Sequence, residues 1–308
     1  MVAPLGRGAQ GGGIVAPLLA SHAAACAAPT RSRVPSVVRV ALLVMALPWC
    51  APAVAQRFLP AGVATFELPV ASPRATGFVG RIVAVGEGDS RFGTGTEADV
   101  VLGENLPLLL VGSRPHRWLI GFNVATQARF SLSDPKSALI SNDWVVGFDV
   151  SGRVRHLDLA LQVYHESSHL GDEYAERFAV RRVDWTREVV MAWIGVRAGQ
   201  ATLRAAAGSA VIDHLGLRRG MAALAIDYRG RDGFIGRAPG RLVAGVYTEA
   251  AAATRWRLST TARLGVELGP LGGNRVAVGI VFHDGLSTQR QFYGAESRYG
   301  GAEVRLDL

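Results

Sequence analysis

Residues 154–169 read VRHLDLALQVYHESSH, and this stretch decides the fold class. Between positions 157 and 163 every odd residue is a large aliphatic one, whereas the even residues are polar or small. Successive side chains of a β-strand point to opposite faces of its sheet. The stretch therefore predicts a strand with one apolar face and one polar face.

The same alternation recurs along the chain after residue 60, with little helical periodicity between the repeats. It predicts twelve strands, near residues 79–85, 100–111, 118–132, 144–150, 154–165, 189–197, 202–212, 222–228, 242–249, 257–268, 276–283 and 300–308. An even number of such strands suits a bilayer crossed at a tilt. We therefore predict an all-β transmembrane antiparallel β-barrel of about 12 strands over residues 78–308, after an N-terminal segment at 56–77.

The expected turns support the barrel only in part. Residues 151–153 and 198–200 read as tight turns, and the long stretch 166–187 between the strands they flank reads as an extracellular loop, although 229–240 is long where a short turn is expected. A soluble β-sandwich or lipocalin-like barrel would also alternate, but about 150–180 residues would suffice for it. The strand count therefore favours the membrane barrel.

Composition narrows the class further. The chain is 49% hydrophobic with a mean hydropathy of +0.21, yet after residue 55 no run approaches the ~20 apolar residues of a spanning helix. The net charge is +8 and Lys136 is the sole lysine, so arginine supplies the positive charge. This fits either codon bias in a GC-rich genome or contact with membrane lipid or lipopolysaccharide headgroups. The lack of a basic cluster or binding motif argues against nucleic acid.

The N-terminal residues predict export. Three arginines (Arg31, Arg33 and Arg39) precede the apolar stretch 40–49, and the small-x-small sequence 53–55 follows. This is the pattern of a secretory signal peptide. We predict an N-terminal extension and signal peptide at 1–55, a mature chain beginning near Gln56, and residence in the bacterial outer membrane.

Both cysteines, Cys26 and Cys50, lie upstream of the expected cleavage site, so the mature chain is predicted to lack disulfides. Cys50 is a poor lipoprotein anchor, because Pro48 and Trp49 stand where a small residue is expected.

The candidate chemistry lies at the end of the opening stretch. His165 and Ser167 continue the apolar row, which faces lipid in a barrel. Residues two apart on a strand are ~6.6 Å apart at Cα, so an imidazole can reach a serine hydroxyl. Such a pair is the minimum for an activated nucleophile. His169 lies ~13 Å from His165 on an extended strand, too far to share a metal.

His165-x-Ser167 resembles the His-x-Ser of outer-membrane phospholipase A and of the lipid A 3-O-deacylases. A wider resemblance is to an uncharacterised bacterial family, domain of unknown function 1207. Its pattern is similar to FLPAG at 58–62, LGENLPLL at 102–109, NDWVVG at 142–147, YHESSHLGDEY at 164–174 and HDGLSTQRQF at 283–292. The first resemblance implies a lipid acyl hydrolase, and the second brings no established activity.

In the phospholipase-like enzymes a third group, an amide or a carboxylate, orients the histidine. Strand parity makes Asn142 the candidate, and Glu188, which opens the next strand, is the alternative. Asp172 and Glu173 are candidate ligands for Ca²⁺, which prefers clustered oxygens. Such carboxylates also commonly solvate a loop, so the metal is one of two interpretations.

Two functions follow from these residues. The first is a serine-type hydrolase acting on phospholipid or lipid A, with His165 as general base, Ser167 as nucleophile and Asn142 as orienting group. The second is a non-enzymatic barrel, either a narrow channel or a structural membrane protein, in which 164–174 merely orders a long loop. A filled lumen with His165 and Ser167 in contact outside favours the enzyme, and an open, charge-lined lumen favours the channel.

Overall fold

The computed structural model describes residues 56–60, 63, 65–74, 76–112, 117–269 and 275–307. The predicted extension and signal peptide at 1–55 lie outside this part of the chain. Within it, no helix is both long and apolar enough to cross a membrane.

The described residues form fourteen strands and one short α-helix. They are β1 (Gln56–Phe58), β2 (Phe78–Glu87), β3 (Gly95–Val111), β4 (Trp118–Ser131), β5 (Leu139–Val154), β6 (Leu157–Leu170), α1 (Asp172–Phe178), β7 (Trp185–Ala198), β8 (Ala201–Asp213), β9 (Gly220–Arg229), β10 (Gly233–Ile235), β11 (Ala238–Ala251), β12 (Ser259–Leu268), β13 (Arg275–Leu286) and β14 (Glu296–Asp307).

Twelve of these strands close into one antiparallel barrel. From β2 to β9 each strand pairs with the next along the chain, β9 pairs with β11, and β14 pairs back with β2. The short strand β1 pairs with the last residues of β3, and the short strand β10 pairs with the first residues of β11. The predicted barrel of about 12 strands is confirmed, and closure leaves the barrel no open edge to face lipid.

Short turns identify the periplasmic end of the barrel. The connections β5–β6 and β7–β8 contain only two residues each, and both lie at the end where β14 finishes. Short turns face the periplasm in bacterial barrels. The expected tight turn at 198–200 is present, with residues 199 and 200 between β7 and β8. The one expected at 151–153 is wrong, because β5 continues to Val154 and the chain reverses at Arg155 with φ of 56°.

The outer face is an apolar belt. Large aliphatic side chains on neighbouring strands are more than half exposed, among them Ile82, Leu203, Leu224, Leu242, Leu264 and Ile280. The residues between them point into the lumen, where arginines and carboxylates form buried ion pairs. Hydrocarbon outside and a polar interior match the alternation of an outer-membrane barrel.

Two segments fill the middle of the lumen. The N-terminal segment enters from the periplasmic end, where the Val70 amide donates to Asp227 Oδ1 at 2.9 Å and Ala71 packs against Trp193 and Tyr247. The β13–β14 loop folds in from the extracellular end and buries Gln289 completely. The sequence analysis predicts neither insertion, since it places residues 56–77 only as a segment that precedes the barrel.

Asp89 in the β2–β3 loop connects this loop to the β13–β14 loop and to the barrel wall. It accepts hydrogen bonds from Arg129, at 2.8 Å from Nη1, and from Ser287. Burial alone would raise the pKa of the Asp89 carboxyl, but Arg129 and these hydrogen bonds outweigh it and hold the pKa below its ordinary value. A carboxylate of this kind stabilises the folded state above its unfolded pKa of about 3.9 and loses that contribution as the pH falls through the lower folded pKa.

The expected result is that Asp89→Asn destabilises the barrel near pH 6 and has a much smaller effect near pH 3. Urea unfolding in detergent micelles at both pH values measures the difference between wild type and variant. A difference that stays constant across this range would show that Asp89 does not contribute through its charge.

Candidate active site on the outer face of β5, β6 and β7

His165 and Ser167 lie on the outer face of β6. Their neighbours Glu166 and Ser168 are buried on the lumen side, 2% and 3% exposed. His165 stands opposite Val146 on β5, and Ser167 opposite Trp144, whose ring is exposed. The structure therefore has His165 and Ser167 on the face that the alternation along this strand predicts.

The site lies near the outer edge of the apolar belt. His165 is eight residues along β6 from its periplasmic start at Leu157, which is about 27 Å of strand. At the usual tilt of about 40° this is roughly 21 Å above the start of the strand, in a band about 25 Å tall. Trp144 beside Ser167 is the kind of side chain that concentrates at such an interface.

Glu188 on β7 is the hydrogen-bond partner of His165. The two residues are directly opposite in the strand register, and His165 Nδ1 lies 3.1 Å from Glu188 Oε1. An ionised carboxylate can only accept, so in the neutral imidazole the proton of this bond is on Nδ1 and the lone pair is on Nε2. Glu188 therefore holds the imidazole in the tautomer that a general base requires.

A β-bulge accompanies the placement of Glu188. The register between β7 and β8 shifts at the step from Glu188 to Val189, where β8 has one extra residue, Val211. Bulges increase the local twist and re-aim side chains. Glu188 is only 8% exposed although it points outward, and its Oε2 is buried with no hydrogen-bond partner among the described residues. An unpaired buried oxygen of this kind is costly and calls for a functional explanation.

Ser167 shares the outward row with His165 but is not bonded to it in this structure. The hydrogen bond recorded for His165 is the one to Glu188. Ser167 lies opposite Thr186 on β7, one step nearer the extracellular rim. Catalytic hydrogen bonds are often long in the absence of substrate. The structure thus places Ser167, His165 and Glu188 in one patch, but it has no hydrogen bond between the serine and the histidine.

Asn142, the first candidate for the orienting group, lies elsewhere. It is opposite His169 in the register, and its Oδ1 accepts from Thr126 Oγ1 at 2.5 Å. The structure thus pairs His165 with the alternative, Glu188. Parity places Asn142 on the same face as His165, but it does not tell which residue of a neighbouring strand stands opposite His165. That residue is Glu188 and not Asn142.

The candidate metal ligands do not form a cation site. Asp172 opens α1, is largely exposed and pairs with Arg182, while Glu173 is exposed beside it. No group of three or more potential ligands occurs among the described residues. Ca²⁺ prefers six to eight oxygens, so this donor set does not fit the ion.

A buried polar cluster behind the site was missed by the sequence analysis. Glu166, between His165 and Ser167 in sequence, accepts from Trp185 Nε1 at 2.8 Å and from Arg290 Nε at 3.1 Å, and it also pairs with Arg74. Asp143 on β5 accepts from Arg74 Nη2 and from the Arg290 amide, each at 3.0 Å. We call Arg74, Asp143, Glu166 and Arg290 the lumen cluster.

The lumen cluster fixes the strands that carry the outer site, because Asp143 and Glu166 alternate with outward residues on β5 and β6. The polar parity of β6 is a signal for Glu166. No sequence signal indicates that Arg74 and Arg290, which are more than 200 residues apart, meet there.

Breaking the lumen cluster is expected to destabilise the barrel. Glu166→Ala leaves Arg74 and Arg290 without their shared carboxylate, and removing one partner of a buried ion pair costs about 3–5 kcal/mol. Urea unfolding followed by tryptophan fluorescence measures the loss. Asp284→Ala, which removes an exposed pair with Arg298, is the matched control and should change stability little. Equal losses in the two variants would contradict a structural role for the cluster.

The comparison with protein families supports the resemblance stated above. The family described as "Protein of unknown function (DUF1207)" matches residues 30–307. The chain belongs to this family. No curated protein matches the sequence significantly.

Solved structures place this DUF1207 member among outer-membrane barrels. The calcium-bound dimer of the outer membrane phospholipase of Salmonella typhi is similar, with a TM-score of 0.53 and 12% identity over 80% of this chain and 94% of that one. Outer membrane phospholipase A from Escherichia coli has a TM-score of 0.50 and 11% identity over 78% and 94%. At these identities the likeness shows the fold alone, a closed antiparallel barrel whose apolar outer face is that of a bacterial outer-membrane protein.

Proposed function

We propose that this DUF1207 protein is a serine-type lipid acyl hydrolase, with Ser167 as nucleophile, His165 as general base and Glu188 as orienting group. The observation that carries the proposal is the 3.1 Å contact between His165 Nδ1 and Glu188 Oε1 on the outer face of the barrel. A base held by a carboxylate, with a serine in the same row, has the parts of an activated nucleophile. The phospholipase fold of the similar structures supports the same reaction class.

The reaction follows from these three groups. Ser167 Oγ attacks the ester carbonyl carbon of a lipid while its proton passes to His165 Nε2. The tetrahedral intermediate then breaks the bond to the alcohol oxygen, which takes the proton from His165 and leaves an acyl ester on Ser167. Water gives a proton to His165 and attacks that ester; the bond from the acyl carbon to Ser167 Oγ then breaks, Oγ takes the proton back from His165, and the fatty acid leaves. Glu188 stabilises the imidazolium that forms twice along this path.

The surroundings favour an anionic lipid of the outer leaflet as substrate. The site faces hydrocarbon near the extracellular rim, which places the ester region of a lipid at its height. Exposed arginines lie in the β6–β7 loop, at Arg181 and Arg182, and in the β8–β9 loop, at Arg218 and Arg219. Arg181 and Arg218 make no ion pair with a described residue, so their forked guanidinium groups are available to phosphate. Phospholipid and lipid A both carry this combination of acyl ester and phosphate.

The filled lumen argues against the channel alternative. Residues 65–74 and the β13–β14 loop occupy its middle, and Arg74 on the first contacts the Thr288 carbonyl on the second at 3.1 Å. Conduction would require both segments to leave. The remaining alternative is a structural membrane barrel without activity.

Covalent labelling is a direct test of the proposal. The refolded full-length barrel is treated with a fluorophosphonate and digested, and the modified peptide is identified by mass spectrometry. We expect the label on Ser167, together with fatty-acid release from mixed phospholipid and lipopolysaccharide micelles, assayed with Ca²⁺ and with chelator. A folded barrel that neither takes the label nor releases fatty acid would leave the structural interpretation.

A further inference from the structure

The lumen contains a large cavity that is separate from the lipid-facing site. Its volume is about 640 Å³, and it opens at the periplasmic end, among Ser151, Arg153 and Leu306. Phe66 and Leu68 of the N-terminal segment, together with Trp193, close it toward the extracellular half. The barrel wall separates this cavity from lipid, so we call it the periplasmic vestibule.

Arginine dominates the lining of the vestibule. Among the described residues, nine arginines line it: Arg117, Arg153, Arg197, Arg204, Arg229, Arg241, Arg263, Arg275 and Arg305. Four carboxylates of the same described part of the chain line it: Glu67, Glu104, Asp158 and Glu267. Even when Asp227, Asp232 and Glu303 are added, which pair with these arginines from behind, nine cations face seven anions. An enclosed, low-dielectric concavity with a surplus of one charge raises the local concentration of the opposite one.

The excess of positive charge is largest around Glu303. This one carboxylate accepts from Arg81 Nε at 2.6 Å and from Arg305 Nε at 2.6 Å, and it also pairs with Arg263. Arg81 has Asp99 as a second partner, but Arg263 is paired with Glu303 alone. The cluster thus contains more guanidinium groups than its carboxylates can satisfy.

Two arginines that line the vestibule each have a buried guanidinium nitrogen without an acceptor among the described residues. Arg263 is 5% exposed and Arg275 is 8% exposed, and both line the vestibule. Arg263 Nη2 and Arg275 Nη1 have no hydrogen-bond partner in the described part of the chain, and the second is 3.6 Å from Glu267, too far for a hydrogen bond. A buried donor without an acceptor costs about 1–3 kcal/mol, more for a charged group. Both nitrogens are closed off from solvent, so these guanidinium groups would bind an anionic oxygen in the vestibule only by turning toward it.

We propose that the periplasmic vestibule binds a soluble multivalent oxyanion, such as pyrophosphate or a small phosphorylated solute. Guanidinium groups bind phosphate oxygens with two parallel hydrogen bonds, and several of them converge here on one enclosed space. The vestibule is open on the periplasmic side, so the ligand comes from that compartment. The site does not depend on acyl hydrolysis at Ser167.

Calorimetric titration of the folded, detergent-solubilised full-length protein with pyrophosphate tests the proposal. The wild type is expected to bind with saturation, more tightly than it binds phosphate and far more tightly than chloride. Arg263→Gln should weaken binding at least about tenfold, and it leaves Glu303 with two arginines. Arg197→Gln is a second variant that spares the fold, since Asp158 keeps Arg153.

Arg155→Gln is the matched control, because Arg155 is exposed in the periplasmic β5–β6 turn and does not line the vestibule. It should bind pyrophosphate as the wild type does. Absence of saturable binding to the wild type would overturn the proposal, as would equal weakening by Arg155→Gln and Arg263→Gln. Binding of phosphatidic acid micelles without binding of pyrophosphate would also overturn it, because the ligand would then be a lipid headgroup.

Discussion

Ser167→Ala is expected to lower fatty-acid release from phospholipid or lipopolysaccharide micelles by at least about 10³-fold, to the background of micelles alone. The reason is that Ser167 Oγ forms the acyl ester, and alanine has no atom to replace it. His165 and Glu188 stay in contact in this variant, because neither depends on the hydroxyl for its hydrogen bond. Release is measured by mass spectrometry of free fatty acid, with the refolded wild type alongside.

Ser209→Ala is the matched control for this experiment. Ser209 lies on β8 opposite Val190, and its hydroxyl contacts only the neighbouring Ala210 carbonyl at 3.3 Å. Its replacement should leave release unchanged. Both variants are checked for a folded barrel by their heat-dependent mobility on gels. Persistent release from a folded Ser167→Ala barrel would exclude Ser167 as the nucleophile.

Glu188→Gln is expected to lower the rate constant of hydrolysis by about 10²–10⁴-fold, whereas Asn142→Ala should change it little. An amide at position 188 can donate to Nδ1 and so favours the wrong tautomer of His165, and it no longer stabilises the imidazolium. Asn142 is bonded to Thr126 and lies opposite His169, so it does not touch His165. Initial rates over a range of lipid concentrations separate kcat from KM.

The expected loss in Glu188→Gln is in kcat, because Glu188 contacts the base and not the lipid. Glu188→Gln should not destabilise the barrel, because Oε2 of Glu188 is buried without a hydrogen-bond partner among the described residues, and this separates a catalytic loss from an unfolding loss. A larger loss of kcat in Asn142→Ala than in Glu188→Gln would restore Asn142 as the orienting group. A loss only in KM would place Glu188 in lipid binding.

Strand parity predicts which side chains of a strand face outward and which face the lumen. Along β6 it separates Leu161, His165 and Ser167 from Glu166 and Ser168, and the structure has the same two faces. Parity works because the side-chain period of a strand is two, whatever the strand pairs with. It fails at strand ends: β6 continues to Leu170 and not only to His165, because its last polar residues face lumen partners and not water.

The sequence indicates which kinds of residue the candidate site contains, but not which residue contacts His165. The sequence places His165, Ser167 and Asn142 on outward rows of neighbouring strands, and it names Glu188, which opens the next strand, only as the alternative to Asn142. The bulge opposite Glu188 and the register that sets Glu188 against His165 depend on pairing between strands, which alternation along one strand does not encode.

By itself the sequence determined the fold class, the number of barrel strands and the face on which His165 and Ser167 lie, because these follow from a local alternation of apolar and polar residues. Only the tertiary structure decided that Glu188 holds His165, that Arg74 and Arg290 meet at Glu166, and that residues 65–74 enter the lumen. The first contact depends on the register between β6 and β7, which alternation along one strand does not encode. The lumen contacts join residues far apart in the chain, and they exist because closing the barrel buries charges that must then find partners across the lumen.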